Sequence, residues 1–91
     1  SGPAYLALVA EAMADGAVKQ GMKREDAQKI TQGLLDGFAT LLNSTNPALL
    51  KDAVMSPGGT TAAGYGALEH GAVRYHFIAA VEAAYKRALE L

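Results

Sequence analysis

Two segments of this 91-residue chain are apolar around the whole circumference of a helix, and this constrains the fold more than any other feature. In the first, Tyr5, Leu6, Ala7, Leu8, Val9 and Ala10 leave no polar face. In the second, Phe77, Ile78, Ala79, Ala80 and Val81 do nearly the same. A helix without a polar face must be buried on all sides. A chain of this length makes one small domain at most, and such a domain can hardly enclose two of these helices by itself. A second copy that covers them is the simpler solution, and the many alanines let helices approach closely. The pattern therefore predicts an obligate, intertwined homodimer. The alternative is an alanine-rich monomeric bundle that leaves part of its apolar surface in water.

Proline, glycine and capping residues divide the rest of the chain into helices. The first is expected from about Pro3 to Gln20, with Ser1 as its cap and Pro3 in the first turn, where a missing N–H costs nothing. Gly21 stops it, and Gly16 inside it weakens it by up to about 1 kcal/mol relative to alanine. A second helix begins near Arg24, with Glu25 and Asp26 placed favourably for the helix dipole. Ala27, Ile30, Leu34, Phe38, Leu41 and Leu42 recur at helical spacing and predict its core stripe. Asn43-Ser44-Thr45 ends it. Asn46 then caps a short third helix with Pro47 at its first position and Leu49, Leu50, Ala53 and Val54 turned inward. The helical pattern breaks fully between Met55 and Gly59. Thr60 or Thr61 is expected to cap a fourth helix ending at Gly71, and the last runs from Ala72 to about Glu90, with Glu82, Lys86 and Glu90 at the spacing that lets opposite charges meet. No segment alternates as a strand does. The expected fold is all-α, a bundle of about five helices.

Composition removes several classes of function. A net charge of -1 gives no electrostatic reason to bind nucleic acid or an anionic membrane. No apolar stretch reaches the roughly 18 residues needed to cross a bilayer, and no secretory signal pattern opens the chain. The lack of cysteine excludes disulfides, zinc–thiolate sites and thiol catalysis, and fits a reducing cytoplasm, where this reading places the protein. The first residue is Ser1 and not Met, as in a segment of a longer protein.

The break in the helical pattern is where chemistry is expected. Ser56-Pro57-Gly58-Gly59-Thr60-Thr61 joins a helix end to a helix start. Two adjacent glycines permit backbone angles closed to other residues, so consecutive N–H groups can converge into a nest. The next helix adds its own unpaired N–H groups and partial positive charge, and together these suit a phosphate or a carboxylate. Ser56, Thr60 and Thr61 supply hydroxyls. From local chemistry alone, a plain tight turn followed by a threonine cap is an equally good reading. No lysine or arginine lies within the loop, which favours a small carboxylate over a multiply charged phosphate. Other polar residues invite blander readings. His70 precedes a helix stop and His76 has no carboxylate at a telling spacing, so both are assigned structural or surface roles. Lys51-Asp52 reads as a helix-end charge pair supporting the loop, Glu11 and Asp15 as a solvated patch, and Tyr5, Tyr65, Tyr75 and Tyr85 as core or interface residues.

The run from Leu50 through Lys51-Asp52-Ala53-Val54-Met55-Ser56-Pro57-Gly58-Gly59-Thr60-Thr61-Ala62-Ala63 to Gly64, followed by Ala67-Leu68-Glu69, closely resembles the signature of pyrroline-5-carboxylate reductases. The opening Ser1-Gly2-Pro3-Ala4-Tyr5, the stretch Asp15-Gly16-Ala17-Val18-Lys19 and the stretch Ala80-Val81-Glu82-Ala83-Ala84 are similar too, so the resemblance covers essentially the whole chain. It implies the helical C-terminal domain of an enzyme that reduces 1-pyrroline-5-carboxylate to L-proline with NADPH or NADH. It implies that Ser56 and the backbone around Gly58, Gly59, Thr60 and Thr61 hold the substrate carboxylate, and that Thr61, the catalytic assignment, places its hydroxyl near the ring nitrogen. Position 60 varies between alanine and threonine in the family, so only the Thr60 backbone is assigned. The resemblance further implies a homodimer with its active site at a subunit interface, compatible with higher assemblies of dimers. The cofactor is expected mainly on an N-terminal Rossmann domain that this chain does not carry, since Gly58-Gly59 lacks the dinucleotide spacing and the preceding strand. No cofactor or metal is expected on this chain alone, which should therefore be inactive by itself. The readings set against this one are a non-enzymatic helical dimerisation or protein-interaction module and the helical domain of another hydroxy-acid or amino-acid dehydrogenase.

Overall fold

A computed structural model describes residues 1–91 and consists of five helices without strands. They are α1 (Gly2–Lys19), α2 (Arg24–Leu41), α3 (Pro47–Ala53), α4 (Thr60–His70) and α5 (Val73–Glu90). The chain divides into two compact units, Ser1–Pro47 and Ala48–Leu91.

The first unit is a pair of helices joined by a glycine turn. Gly21 takes φ 109°, an angle open to glycine at little cost. The Met22 N–H donates to the Ala17 carbonyl at 3.0 Å and the Gly21 N–H to the Val18 carbonyl at 2.9 Å, the two bonds of a Schellman motif. α1 and α2 then pack along small side chains. Ala14 of α1 and Ala27 and Thr31 of α2 are buried, and the Thr31 hydroxyl is satisfied by donating to the Ala27 carbonyl at 2.8 Å. Arg24 donates to an Asp15 carboxylate oxygen at 2.6 Å close to the turn, so Asp15, exposed like Glu11, also forms an ion pair between the two helices. At the N-terminus, Ser1 occupies the cap position without a side-chain cap bond. Its carbonyl accepts the Ala4 and Tyr5 N–H groups.

The expected core stripe of α2 is corrected here. Ala27 is buried, but Ile30 is 59% exposed, and Leu34, Phe38, Leu41 and Leu42 are also exposed. Alanine and threonine let the hairpin close tightly, and a two-helix layer has only one inner face, so the larger residues beside that line remain outside. The same holds on α3, where Leu49, Ala53 and Val54 are exposed and Leu50 alone of the four is partly covered.

In the second unit, α4 packs on α5 through a two-residue connection. Gly71 closes α4, with its N–H donating to the Ala67 carbonyl at 3.1 Å. The left-handed residue is the next one, Ala72, at φ 60°, which caps α5, so α5 begins at Val73 and not at Ala72. Lys86 pairs with Glu82 at 2.9 Å as the four-residue spacing requires, whereas Glu90 pairs with Arg87 at the same distance. No residue of this unit is buried, and Ile78 and Val81 of α5 are 61% and 62% exposed. No helix is long and apolar enough to cross a membrane.

Candidate functional site

The loop between α3 and α4 is built by two glycines in different ways. The Gly59 N–H donates to the Ser56 carbonyl at 3.1 Å, closing a four-residue turn with Pro57 and Gly58 at its centre. Gly58 takes φ 71°, the positive angle a type II turn needs at its third position, while proline suits the second. Gly59 has ordinary extended angles, φ -85° and ψ 177°. It is needed for space: a Cβ there would stand 2.6 Å from the Ser56 hydroxyl oxygen and 3.4 Å from its carbonyl oxygen. The nest expected from two unusual glycine conformations is therefore one left-handed glycine followed by one close approach.

Gly59 is also the N-cap of α4, and Thr60 is the first helical residue, so neither threonine is the cap. The helix ladder opens with the Ala63 N–H donating to the Gly59 carbonyl at 3.2 Å. The N–H groups of Thr60, Thr61 and Ala62 consequently have no acceptor within the helix, and the positive end of the helix dipole adds to them. Ser56, Gly58, Thr60 and Thr61 are exposed and Gly59 is half-buried. The structure thus brings the Ser56 hydroxyl against Gly59, immediately before three N–H donors, an arrangement with the donor pattern of an anion cradle.

Behind the loop stands a group of side chains that sequence spacing only partly disclosed. Lys51 pairs with Asp52 at 3.2 Å, as expected, but its Nζ also lies over the Tyr65 ring, 5.6 Å from the centroid. Arg74 of α5 donates to the Tyr65 hydroxyl through Nη2 and to a Glu69 carboxylate oxygen through Nε at 3.2 Å. The Glu69 hydrogen bond and charge, with a smaller contribution from Tyr65, raise the Arg74 guanidinium above its ordinary pKa, so it stays charged. The four-residue step from Thr61 to Tyr65, one helical turn, was the available signal for Tyr65; the contacts of Arg74 arise from the fold.

The histidines stay outside this group. His70 ends α4, where a basic group suits the terminal carbonyls. His76 meets Tyr75 edge-on with centroids 5.2 Å apart. No three His, Cys, Asp or Glu side chains cluster in a way that could hold a metal ion. A concavity of about 640 Å³ lies between α1 and α2, lined by the Asp15–Arg24 pair with Glu11, Gln28, Thr31 and Asp36, and no histidine joins them.

One helical hairpin that closes over alanine, a second without buried residues, large apolar side chains left exposed on both and a glycine-turned helix start define an all-α domain that carries a donor-rich loop. Comparison with known proteins gives that class a family. The family described as pyrroline-5-carboxylate reductase dimerisation matches residues 1–91. A pyrroline-5-carboxylate reductase of Thermus thermophilus is 53% identical over 91 residues, covering 100% of this chain and 35% of that relative. Among solved structures, a pyrroline-5-carboxylate reductase from Coxiella burnetii superposes with a TM-score of 0.91 at 39% identity, over 99% of this chain and 34% of that one. A Plasmodium falciparum pyrroline carboxylate reductase with NADP bound gives 0.85 at 36% identity, over 91% and 32%. The chain belongs to the pyrroline-5-carboxylate reductase family, and it spans about a third of the length of these relatives.

Proposed function

We propose that residues 1–91 form the dimerisation and substrate-binding domain of an oxidoreductase that reduces 1-pyrroline-5-carboxylate to L-proline with NADPH or NADH, the closing step of proline biosynthesis in the cytoplasm. The observation that carries this reading is the Ser56–Thr61 loop. It combines one serine hydroxyl, three N–H groups without helical acceptors and a positive helix end, with no lysine or arginine inside it. Such a set suits a single small carboxylate. In this reading the Ser56 hydroxyl and the N–H groups of Thr60 and Thr61 bind the substrate carboxylate, with Gly58 and Gly59 shaping the backbone around it. The Thr61 hydroxyl is directed to the ring nitrogen.

A cyclic imine is already electrophilic, the more so when protonated at nitrogen. What the protein must supply is chiefly orientation, and a clamped carboxylate with one hydroxyl beside the nitrogen provides it. In this reading the dinucleotide is held mainly outside these residues, because the Gly58-Gly59 turn lacks the spacing of a dinucleotide-binding glycine loop. The nicotinamide, which supplies the hydride, is therefore assigned to a part of the enzyme outside these residues, and these residues alone are expected to be inactive.

The homodimer belongs to the same reading. Leu6, Leu8, Ile30, Leu34, Ile78 and Val81 are exposed on the single chain. A second copy is the occupant that the family's dimerisation role supports. The test is an assay of the complete protein containing this chain with pyrroline-5-carboxylate and NADPH. Thr61→Ala should lose roughly 1–3 kcal/mol of transition-state stabilisation, read from kcat/KM. Unchanged efficiency would remove the role given to Thr61. Competition by hydroxy acids, with none by proline, would replace the reductase reading by another dehydrogenase.

A further inference from the structure

We propose that Tyr65 is a positioning residue for the carboxylate loop, holding the start of α4 to the end of α3 by carrying Lys51 on its ring and Arg74 on its hydroxyl. This rests on the substrate reading given above. The two residues that meet flank the loop: Lys51 lies on α3 before Ser56, and Tyr65 lies one turn beyond Thr61 on α4. Within the loop, one backbone bond of 3.1 Å, Gly59 N–H to the Ser56 carbonyl, closes the turn. Closing a turn does not by itself fix the direction in which the next helix leaves. Packing supplies little more, because α4 lies mainly on α5 and has no comparable contact with α3.

The Lys51–Tyr65 contact provides the missing constraint. The ammonium stands 5.6 Å from the ring centroid, within the range where the ring quadrupole attracts a cation. The ring is in turn restrained at its far end by Arg74, which Glu69 holds at 3.2 Å. Three helices thus meet on one half-buried tyrosine, four residues from the hydroxyl assigned to the ring nitrogen.

The experiment uses the complete reductase with Lys51→Met, Tyr65→Leu and Tyr65→Phe. Tyr65→Leu and Lys51→Met should each raise the KM for pyrroline-5-carboxylate about threefold, the size of a partly exposed cation–π contact. Their combination should be no worse than either alone. Tyr65→Phe keeps the ring under Lys51 but loses the Arg74 hydrogen bond, so it should raise the substrate KM less than Tyr65→Leu does, while kcat, the pH profile and the KM for the dinucleotide stay unchanged throughout. An unaltered substrate KM in Tyr65→Leu, additive effects, or a parallel change in kcat and both KM values would overturn the proposal. Lys51→Met alters a partly solvated side chain and keeps the test open if Tyr65→Leu folds poorly. Should the parent protein fail to reduce pyrroline-5-carboxylate, the substrate reading falls separately. Amide exchange at Gly59 and Ala63 then decides: faster exchange in Tyr65→Leu supports the clamp, and equal exchange refutes it.

Discussion

Gly59→Ala isolates the part of the loop that the two glycines do not share. The backbone at Gly59 is extended, so alanine adopts it without strain. The added methyl would nevertheless stand 2.6 Å from the Ser56 hydroxyl oxygen, well inside van der Waals contact. A serine hydroxyl has other staggered positions, and turning to one of them is the least costly relief. The fold should therefore survive while the hydroxyl leaves the place where it would meet a carboxylate. A hydrogen bond from a hydroxyl to a charged acceptor contributes about 1.5–3 kcal/mol, so affinity for proline should drop by roughly one to two orders of magnitude.

A double-mutant cycle separates this mechanism from general disturbance. Ser56→Ala removes the same hydroxyl directly, so Gly59→Ala, Ser56→Ala and the double variant should all weaken proline binding to nearly the same extent, as read by calorimetry on the complete protein. Gly58→Ala is the contrasting control. Its site is open, but its backbone stands at φ 71°. Alanine held there costs about 1–2 kcal/mol in backbone strain, a cost common to free and bound protein, so it should lower the urea midpoint while proline affinity still depends on Ser56. Independent, additive losses for Gly59→Ala and Ser56→Ala would refute the idea that Gly59 is required to make room for the hydroxyl.

Two further substitutions test assembly and backbone. Ile78 is 61% exposed on the single chain. Its burial in a dimer is worth about 1–2 kcal/mol per copy, and by symmetry about twice that per dimer. Ile78→Asp should therefore abolish association at micromolar concentration in light scattering, and a persistent dimer would exclude this face. Ala72 holds φ 60° in the α4–α5 connection. Ala72→Gly should stabilise the protein by about 0.5–1 kcal/mol, seen as a higher urea midpoint with an unchanged slope; a lower midpoint would show that chain entropy outweighs the relieved strain.

Much of the helix order was legible because local chemistry decides it. Gly21 is required by the angle its turn adopts, Pro47 opens α3 as its fixed φ favours, and the all-α class follows from the absence of any alternating segment. The loop was legible as a donor-rich helix start, though not the separate duties of Gly58 and Gly59, because whether a glycine serves angle or space depends on which atom approaches it. The pairing of Asp15 with Arg24 and of Tyr65 with Arg74 required the hairpins to form first.

The inward stripe of α2 failed for a different reason. Periodicity shows that a helix has an apolar face, but it does not say which chain covers that face. Here the hairpin closes on Ala14, Ala27 and Thr31, the only buried residues, while the side chains with the largest apolar area stay outside. Burial this sparse cannot offset the roughly 1–2 kcal/mol per residue lost when the backbone is ordered. In the proposed homodimer the second copy supplies the rest of the core, so folding and association should form one transition whose midpoint rises with protein concentration. On the proposed reading, the apolar circumference of α1 and α5 and the exposed stripe of α2 have one cause: each is a face that a second copy covers.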